Sequence, residues 1–460
     1  MKKSVTRDLT QGSPMKLILG FMLPLMLGQL FQQVYSMVDT AVVGKFLGVT
    51  ALAGVGSTGA VNFLVLGFCS GICEGFAIPV AHKFGQRDYS GLRRFAANAV
   101  YLAAAFAAVI TLAACVFCSW ILEATNTDAA FFQEAYDYLF VIFLGIPAIM
   151  LYNLLAGFLR AMGDSRSPLY FLLISSVLNI ALDLMFVCWF HMGVAGPAWA
   201  TVISQAVSGL GCLVYMLKRF DILKMTGDEH KPSLFHMRRL CAMGIPMGMQ
   251  YSVTAIGSVV LQSGINSFGT LHVAAVSASD KVQGLFTTPV TSIGTTMANY
   301  VGQNVGALRF DRVRAGVRSA VLMGVIYAVA SLAIIVPFGD NIAMLFLDTK
   351  DTETLGQVLS LTQQYLNIQA LHLFVLHLIF VYRCSIQSMG YSKFTIFAGA
   401  LELVARCGIT WVFTPLFGFD ALCWACPIAW VAADLFLIPG YYICIRKMEK
   451  HYALPASAEA

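Results

Sequence analysis

The chain has 460 residues, of which 58% are hydrophobic and only 12% are charged, and its formal net charge is +5. Soluble domains carry about 25% charged residues, so this composition excludes an ordinary water-soluble protein and indicates a chain surrounded mostly by lipid. Topological signals account for the small excess of basic residues, so no nucleic-acid partner is needed to explain it.

Apolar segments that are long enough to cross a bilayer as helices of about 20 residues recur along the whole chain. No extended polar domain interrupts them, and the opening MKKSVTRDLTQGSP is too polar for a cleavable signal. An enzyme would need a catalytic constellation, and because no phosphate loop or triad motif is visible, we expect no enzymatic activity. We place twelve spans at 16–43, 53–81, 95–122, 135–159, 168–190, 197–217, 240–267, 273–301, 317–338, 357–386, 394–415 and 422–445.

The distribution of basic residues predicts the orientation of these spans. Lys and Arg are retained on the cytoplasmic side, and an even number of spans puts both termini on one side. The loops on the side of the termini carry most of the basic residues, whereas the opposite loops hold only Lys45 and Lys350. We therefore expect a multi-pass protein of the cell membrane with both termini in the cytoplasm. The predicted cytoplasmic set includes Lys2, Lys3, Arg7, Lys83, Arg87, Arg93, Arg94, Arg160, Arg166, Lys218, Arg309, Arg312, Arg314, Arg318, Lys393, Arg446, Lys447 and Lys450.

The two halves of the chain resemble each other. LRAMGDSRS at 159–167 matches IQSMGYSKF at 386–394, and a long polar connection divides the chain near its middle. Parallel repeats of this kind are typical of transporters whose substrate site lies between the halves. We predict an N-terminal six-helix lobe at 1–218, a cytoplasmic inter-lobe connection at 219–239 and a C-terminal six-helix lobe at 240–460.

Polar side chains form stripes on spans one, seven and eight. A polar residue inside a span tends to face the bundle interior or a water-filled cavity, although such stripes also hold helices together by hydrogen bonds. Because the stripes lie on matching helices of the two halves, we favour a shared hydrated cavity that receives the substrate. The predicted cavity residues are Gln29, Gln32, Ser36, Gln250, Thr254, Gln262, Gln283 and Lys281.

Charged and polar residues in the first half suggest an ion site. Asp39 lies deep in span one with no basic residue nearby in sequence, and Asn179 and Asp183 are four apart on span five. Together with Thr201 on span six they offer the hard oxygen ligands that Na⁺ accepts and the carboxyl groups that a proton carrier needs. A hydrogen-bonded polar cluster without any part in transport is the alternative.

The second half breaks this symmetry. At an offset of 227 residues, Arg406 takes the place of Asn179. Glu402 lies four residues before Arg406, so we expect the two to form a structural ion pair. Lys281 and Arg406 are the only basic residues that we place within the spans.

The residues described so far resemble the MATE family (multidrug and toxic compound extrusion) over nearly the whole chain. The resemblance rests on LTQGSPMKLILGFMLPLMLGQLFQQVYSMVDTAVVGKFLG, on LRAMGDSRSP, and on LNIALDLMF followed by GVAGPAWATVIS. It implies two six-helix lobes around a V-shaped cavity, with alternating access by lobe rocking. It also implies export of small organic, often cationic, compounds in exchange for Na⁺ or H⁺, with no other cofactor. We expect a monomer in the lipid bilayer.

Within that family the chain resembles the DinF-like branch, which places its cation site in the N-terminal lobe. By this resemblance Asp39, Asn179, Asp183 and Thr201 are the coupling residues, and Tyr138 matches a tyrosine on the fourth helix. The NorM-like branch uses acidic residues of the C-terminal lobe, including one on span seven, where this chain has none. A flippase of the same superfamily, moving a lipid-linked precursor, is the alternative function and would need several cationic side chains in its cavity.

Overall fold

The structure, a computed structural model, describes residues 7–346 and 352–453, and in these ranges it contains helices and turns but no β-strand. Lys2, Lys3 and Lys350, which belong to the predicted topology signal, lie outside the described residues. The helices are α1 (Pro14–Val42), α2 (Val49–Ser57), α3 (Gly59–Gly85), α4 (Tyr89–Val116), α5 (Cys118–Ala124), α6 (Phe132–Leu144), α7 (Ile146–Ala161), α8 (Arg166–Leu184), α9 (Ala195–Arg219), α10 (Leu234–Asn266), α11 (Thr270–Gly306), α12 (Phe310–Ala343), α13 (Thr352–Leu371), α14 (Leu373–Ser388), α15 (Ser392–Gly408), α16 (Thr414–Phe417) and α17 (Phe419–Ala453).

The helices account for the predicted all-α membrane architecture. In the described ranges, eight helices are long and apolar enough to cross a membrane, and the bent pairs α6–α7 and α13–α14 raise the number to ten. Helices α10 and α11, with 33 and 37 residues, carry the polar stripes of the predicted spans seven and eight. They complete the twelve spans. A helix satisfies all its internal backbone hydrogen bonds, which is why an apolar chain crosses lipid in this form.

Two of the predicted spans are bent rather than continuous. Spans four and ten break at Gly145 and His372 with bends of 47° and 45°. Near Gly145, Pro147 lacks the N–H that would continue the helical ladder. At His372 the backbone N–H bonds to Gln369 O at 3.2 Å, while the ring nitrogen Nδ1 lies 2.8 Å from Ile368 O. Each break therefore removes one regular helical hydrogen bond.

The internal repeat is visible in the backbone. Gly163 (φ +88°) ends α7 and Gly390 (φ +87°) follows α14, and these positions are separated by 227 residues, the offset of the sequence match. Glycine adopts positive φ without a Cβ clash, so it commonly terminates helices in this way. The bends at Gly145 and His372 are also 227 residues apart. The two halves therefore share a pseudo-symmetric fold.

Contacts between Cα atoms divide the chain into two compact units. The first contains the described residues of Met1–Gln11, Leu23–Ser252 and Gly302–Ala307. Its core is formed chiefly by side chains of α3, α4, α6 and α7, including the fully buried Phe76 and Phe143. This unit contains the predicted connection 219–239 and the first half of α10.

The second unit contains Gly12–Met22, Val253–Val301 and the described residues of Leu308–Ala460. It holds smaller apolar clusters, one around Leu422 and Tyr365 and another around Val282 and Ile335. The segments 12–22, 240–252 and 302–307 are thus grouped differently from the lobes that we predicted, and the lobe boundaries at 218 and 240 stay a prediction.

The connection 219–239 is docked on α4. Arg93 on α4 donates from Nη2 to Glu229 Oε1 at 2.7 Å, and Asn98 Oδ1 accepts from Ser233 N at 2.8 Å. The hydrogen bonds from Arg93 hold the pKa of Glu229 well below the usual range of a glutamate. The connection is therefore an ordered part of the first unit.

Glycines let α3 and α10 approach each other closely within the first unit. A Cβ added to Gly75 would lie 2.5 Å from Gly244 Cα, and one added to Gly71 would lie 2.8 Å from Gly248 Cα. On each helix the two glycines are four residues apart, which is the GxxxG spacing that permits the backbones of membrane helices to touch. Any side chain at these positions must push the two helices apart.

Candidate functional site

Three helices of the first unit bring polar side chains to one place. Asp39 lies one turn before the end of α1 and is half-buried, whereas Asn179 and Asp183 on α8 are 1% and 0% exposed. Their spacing of four residues puts both on the same face of α8. Thr201 reaches the same place from α9, which packs along α8.

The amide of Asn179 links these helices. In the orientation that satisfies both ends of the amide, Nδ2 donates to Asp39 Oδ1 at 2.9 Å, and Oδ1 accepts from the backbone N–H of Thr201 at 3.3 Å. The opposite orientation of the amide leaves a single contact of 3.5 Å between Nδ2 and Thr201 Oγ1. The first orientation satisfies both ends of the amide, so the hydrogen-bond network favours it.

Asp183 is buried without a donor. Both of its carboxyl oxygens are inaccessible to solvent, and in the part of the chain that the structure describes no N–H group donates to them. The carboxyl groups of Asp183 and Asp39 lie close enough to interact electrostatically. Two facing carboxylates cannot both remain charged in such a position without compensation. The pair therefore needs a shared proton or a bound cation.

Two tyrosines border this carboxyl pair. Tyr138 on α6 packs against the apolar cluster that contains Val141 and Ala198, and it interacts electrostatically with both aspartates. Sequence reasoning missed Tyr35, which lies on α1 one turn before Asp39 and whose hydroxyl also interacts with Gln205. The spacing of four residues between Tyr35 and Asp39 is the signal that could have found it.

A π-helical turn follows each of the two acidic residues. Val43–Leu47 continues α1 just after Asp39, and Met185–Trp189 continues α8 just after Asp183. The two turns are in contact with each other. Such turns are rare and are found frequently at functional sites. The carboxyl groups thus lie where regular α-helical hydrogen bonding is interrupted on both helices.

The second unit holds a buried ion cluster instead of a carboxyl pair. Glu402 accepts hydrogen bonds from Arg406 Nη2 at 2.6 Å and from Arg383 Nη2 at 2.8 Å, and all three side chains are buried. The expected Glu402–Arg406 pair is therefore present. Our count of basic residues within the spans was wrong, because Arg383 lies in the predicted span ten and because Lys16 and Arg318 lie at the starts of the predicted spans one and nine. Glu402 engages both guanidinium groups, so neither is a free cation.

The predicted cavity residues lie on the helices where we expected the polar stripes. In the first unit Gln32 and Ser36 are exposed, and Gln32 Nε2 lies 3.4 Å from Tyr35 OH. In the second unit Lys281 is exposed, and Gln262 donates to Asn266 Oδ1 at 2.8 Å. The half-buried members of the set are Gln29, Gln250, Thr254 and Gln283. Their part in substrate binding stays a prediction.

The donor set around Asp183 can be compared with the needs of a metal ion. Within 7–346 and 352–453, no group of three or more histidine, cysteine and acidic side chains is placed to hold one. A Na⁺ ion accepts carboxylate, amide and hydroxyl oxygens, and Asp39, Asn179, Asp183 and Thr201 carry these groups. With its nitrogen toward Asp39, however, Asn179 does not present its oxygen to a cation at that carboxylate.

The chain matches the MatE family model twice, at residues 24–185 and at 246–412. Together these ranges cover most of its length. The chain belongs to the MATE family. Members of this family are transporters, so the protein is a membrane transporter and not an enzyme. The double match also gives one copy of the MATE repeat to each half, in agreement with the repeat seen in sequence and backbone.

Curated relatives and solved structures extend this MATE likeness over nearly all of the chain. It is 28% identical over 354 residues to "Probable multidrug resistance protein YpnP" of Bacillus subtilis, which covers 76% of this chain and 78% of the relative. It is 22% identical to "Multidrug export protein MepA" of Staphylococcus aureus, with 90% of each chain covered. A solved structure of a multidrug resistance MATE family transporter in an outward-facing conformation superposes with a TM-score of 0.88 at 22% identity, covering 98% of this chain and 99% of that one. The membrane architecture is thus the MATE fold, and the assignment to a DinF-like branch stays a prediction.

Proposed function

We propose that this MATE transporter is a secondary active antiporter that exports small organic, often cationic, compounds in exchange for a cation. The names of the curated relatives, which describe multidrug resistance and multidrug export, support the substrate class. The observation that carries the antiport is the carboxyl pair of the half-buried Asp39 and the buried Asp183, which needs a proton or a cation to be stable.

The geometry favours a proton as the coupling ion. In the better satisfied orientation of Asn179, the amide nitrogen faces Asp39. A proton shared by Asp39 and Asp183 then completes the network. Na⁺ would require the amide to turn so that its oxygen joins the carboxylates. Na⁺ therefore remains the second candidate, and the two make different demands on Asn179.

Coupling follows from the cost of an uncompensated charge within the membrane. When the pair is loaded from outside, Asp39 is neutralised and the end of α1 can pack more closely against α8 and α9. We propose that this change reduces the cavity, displaces the bound compound to the outside and permits the return to the inward-facing state, where the ion leaves. Alternating access by rocking of the two lobes completes the cycle.

The proposed setting is the cell membrane, with both termini in the cytoplasm and the protein acting as a monomer. The concentration of Lys and Arg in the loops on the side of the termini supports this orientation. The described members of that set include Arg87, Arg94, Arg309 and Arg312.

The test is substrate efflux from proteoliposomes in which Na⁺ and pH gradients are imposed separately. We expect Asp39→Asn and Asp183→Asn to abolish ion-driven efflux while the protein still reaches the membrane, because a neutral amide is cheaper than a carboxylate in lipid. Asn179→Asp distinguishes the ions, since it removes the amide donor to Asp39 but keeps an oxygen for Na⁺.

The matched control is Asp137→Asn, the same chemical change on α6 of the same unit. Asp137 accepts from Gln133 Nε2 at 2.8 Å and is not part of the carboxyl pair, so efflux should be unchanged. Wild-type efflux by Asp39→Asn under the same gradient would show that Asp39 is not the coupling residue.

A further inference from the structure

A cavity lies in the second unit, far along the chain from the carboxyl pair. It has a volume of about 330 Å³ and is bounded by α12, α14 and α17. Its polar lining consists of two arginines and three tyrosines, and the remainder is aliphatic. These polar residues are Arg314, Arg318, Tyr382, Tyr441 and Tyr442.

The charges of this cavity leave one cation uncompensated. Arg314 forms a two-point ion pair with Glu449, with Nε and Nη2 at 2.9 and 2.7 Å from the carboxylate oxygens. Arg318 is exposed, one helical turn further along α12, and none of the residues that the structure describes pairs with it. The cavity therefore presents a single positive charge beside a guanidinium that is held in place.

A buried hydroxyl group in the same wall lacks a partner. Tyr441 is 2% exposed, and its hydroxyl makes no hydrogen bond within the described part of the chain. A buried hydroxyl without a partner is unfavourable, so a ligand that accepts a hydrogen bond from it is favoured. An anion with several acceptor oxygens satisfies both Tyr441 and Arg318.

The position of the cavity along the helices corresponds to the surface of the bilayer. Arg318 is the last charged residue of α12 before Asp340, so the helix continues into the membrane from that point. On α17, Tyr442 comes just before the charged run that starts at Arg446, and tyrosines of this kind are enriched at the level of lipid headgroups. The cavity thus lies where apolar and charged segments of both helices meet.

An apolar track leads from the cavity into the membrane. Leu322, Val325 and Val329 follow Arg318 on one face of α12, and all three are exposed. From Arg318 to Val329 the helix rises about 16 Å at 1.5 Å per residue, a length comparable to half of the hydrocarbon core. A ligand with an anionic head and an acyl chain matches the cavity and the track together.

We propose that this cavity binds an anionic phospholipid, with the phosphate at Arg318 and the tyrosine hydroxyls and one acyl chain along Leu322, Val325 and Val329. Basic pockets between membrane helices bind anionic headgroups in this way. The single positive charge of Arg318 matches the single net negative charge of phosphatidylglycerol, whereas phosphatidylcholine carries no net charge. The site is separate from the ion coupling proposed above and stabilises the second unit.

The test measures lipid retention by native mass spectrometry on the full chain in detergent. The added probes are dioleoylphosphatidylglycerol, dioleoylphosphatidylcholine and inorganic phosphate. We expect Arg318→Ala to weaken phosphatidylglycerol binding about tenfold, because it removes a charge-assisted contact. Tyr441→Phe should weaken it less. The matched control is Arg309→Ala, the same change on an arginine that pairs with Asp311 and does not line the cavity.

Thermal stability provides a second readout. Phosphatidylglycerol should raise the melting temperature of the wild type and of Arg309→Ala, but not that of Arg318→Ala. Equal loss of binding in both arginine variants would reduce the effect to general electrostatics and overturn the proposal. Equal retention of phosphatidylcholine, or displacement of the lipid by inorganic phosphate alone, would overturn it as well. None of these results depends on transport.

Discussion

The contacts of the buried Glu402 allow us to predict how much stability is lost when its charge is removed. Glu402 is 5% exposed and accepts from two guanidinium groups at 2.6 and 2.8 Å. In Glu402→Gln the amide oxygen can serve one arginine, but the amide nitrogen then faces the other. Breaking a buried ion pair on one side costs about 3–5 kcal/mol, since a charge is left uncompensated.

Because of Asp434, the expected loss of stability lies toward the lower end of that range. Its buried carboxyl interacts electrostatically with Arg383, although none of the described N–H groups donates to it. It therefore offsets part of the charge of Arg383 but supplies no hydrogen bond. We expect a loss of about 3 kcal/mol for Glu402→Gln. Adding Arg406→Gln should recover part of this loss, because one unpaired guanidinium disappears.

The assay is thermal unfolding of the detergent-solubilised protein, followed by size-exclusion chromatography, together with ion-driven efflux in proteoliposomes. The matched control is Glu123→Gln, the same change on an exposed residue at the end of α5. Glu402→Gln should lower the melting temperature clearly, while the surviving protein keeps its dependence on the imposed ion gradient. A melting temperature equal to that of the wild type would contradict the stabilising role of Glu402. Loss of gradient-driven efflux in the folded variant would contradict its separation from coupling.

Two further predictions concern the first unit. Gly75→Ala should cost about 1–3 kcal/mol, because its Cβ would meet Gly244 Cα at 2.5 Å; Gly59→Ala, where no atom lies within 4 Å, is the control, and equal melting temperatures would contradict the close contact. Arg93→Ala should release the connection from α4 and speed proteolysis within 224–233, with Arg94→Ala as control. Because the pKa of Glu229 is lowered on folding, its contribution is complete above about pH 4.3 and is lost only as pH falls toward the folded pKa, so cleavage of the wild type should not change between about pH 8 and pH 5.

The residue spacing and the free-energy cost of a carboxylate in lipid were enough to predict that the polar side chains of the first unit lie close together. A carboxylate in an apolar span must face the protein interior, so Asp39 and Asp183 had few directions in which to point. The spacing of four residues between Asn179 and Asp183 then fixed a common face of α8. The structure brings these side chains and Thr201 together, while their role in coupling awaits the efflux experiment.

Backbone irregularities could not be predicted in the same way. The bends at Gly145 and His372 interrupt hydrogen bonds without interrupting hydropathy, so each segment resembles one continuous span. The π turns after α1 and α8 have no local sequence pattern, because they depend on how neighbouring helices pack. Arg383 was overlooked for a related reason: a single arginine leaves the mean hydropathy of span ten high, and its partner Glu402 lies on the next span.

Equivalent helices of the two halves carry different polar side chains. Helices α8 and α15 are each followed by a π turn, Met185–Trp189 and Ile409–Phe413, but the polar groups before those turns differ. Glu402 accepts a hydrogen bond from each of its two arginines, so its carboxylate is compensated by positive charge. Asp183 has no donor, and a buried polar group left in this state is retained where another species completes it. Asp434 of the second half also lacks a donor, but it lies beside the charge of Arg383, whereas Asp183 lies beside a second carboxyl group. We therefore propose that ion coupling takes place in the first half.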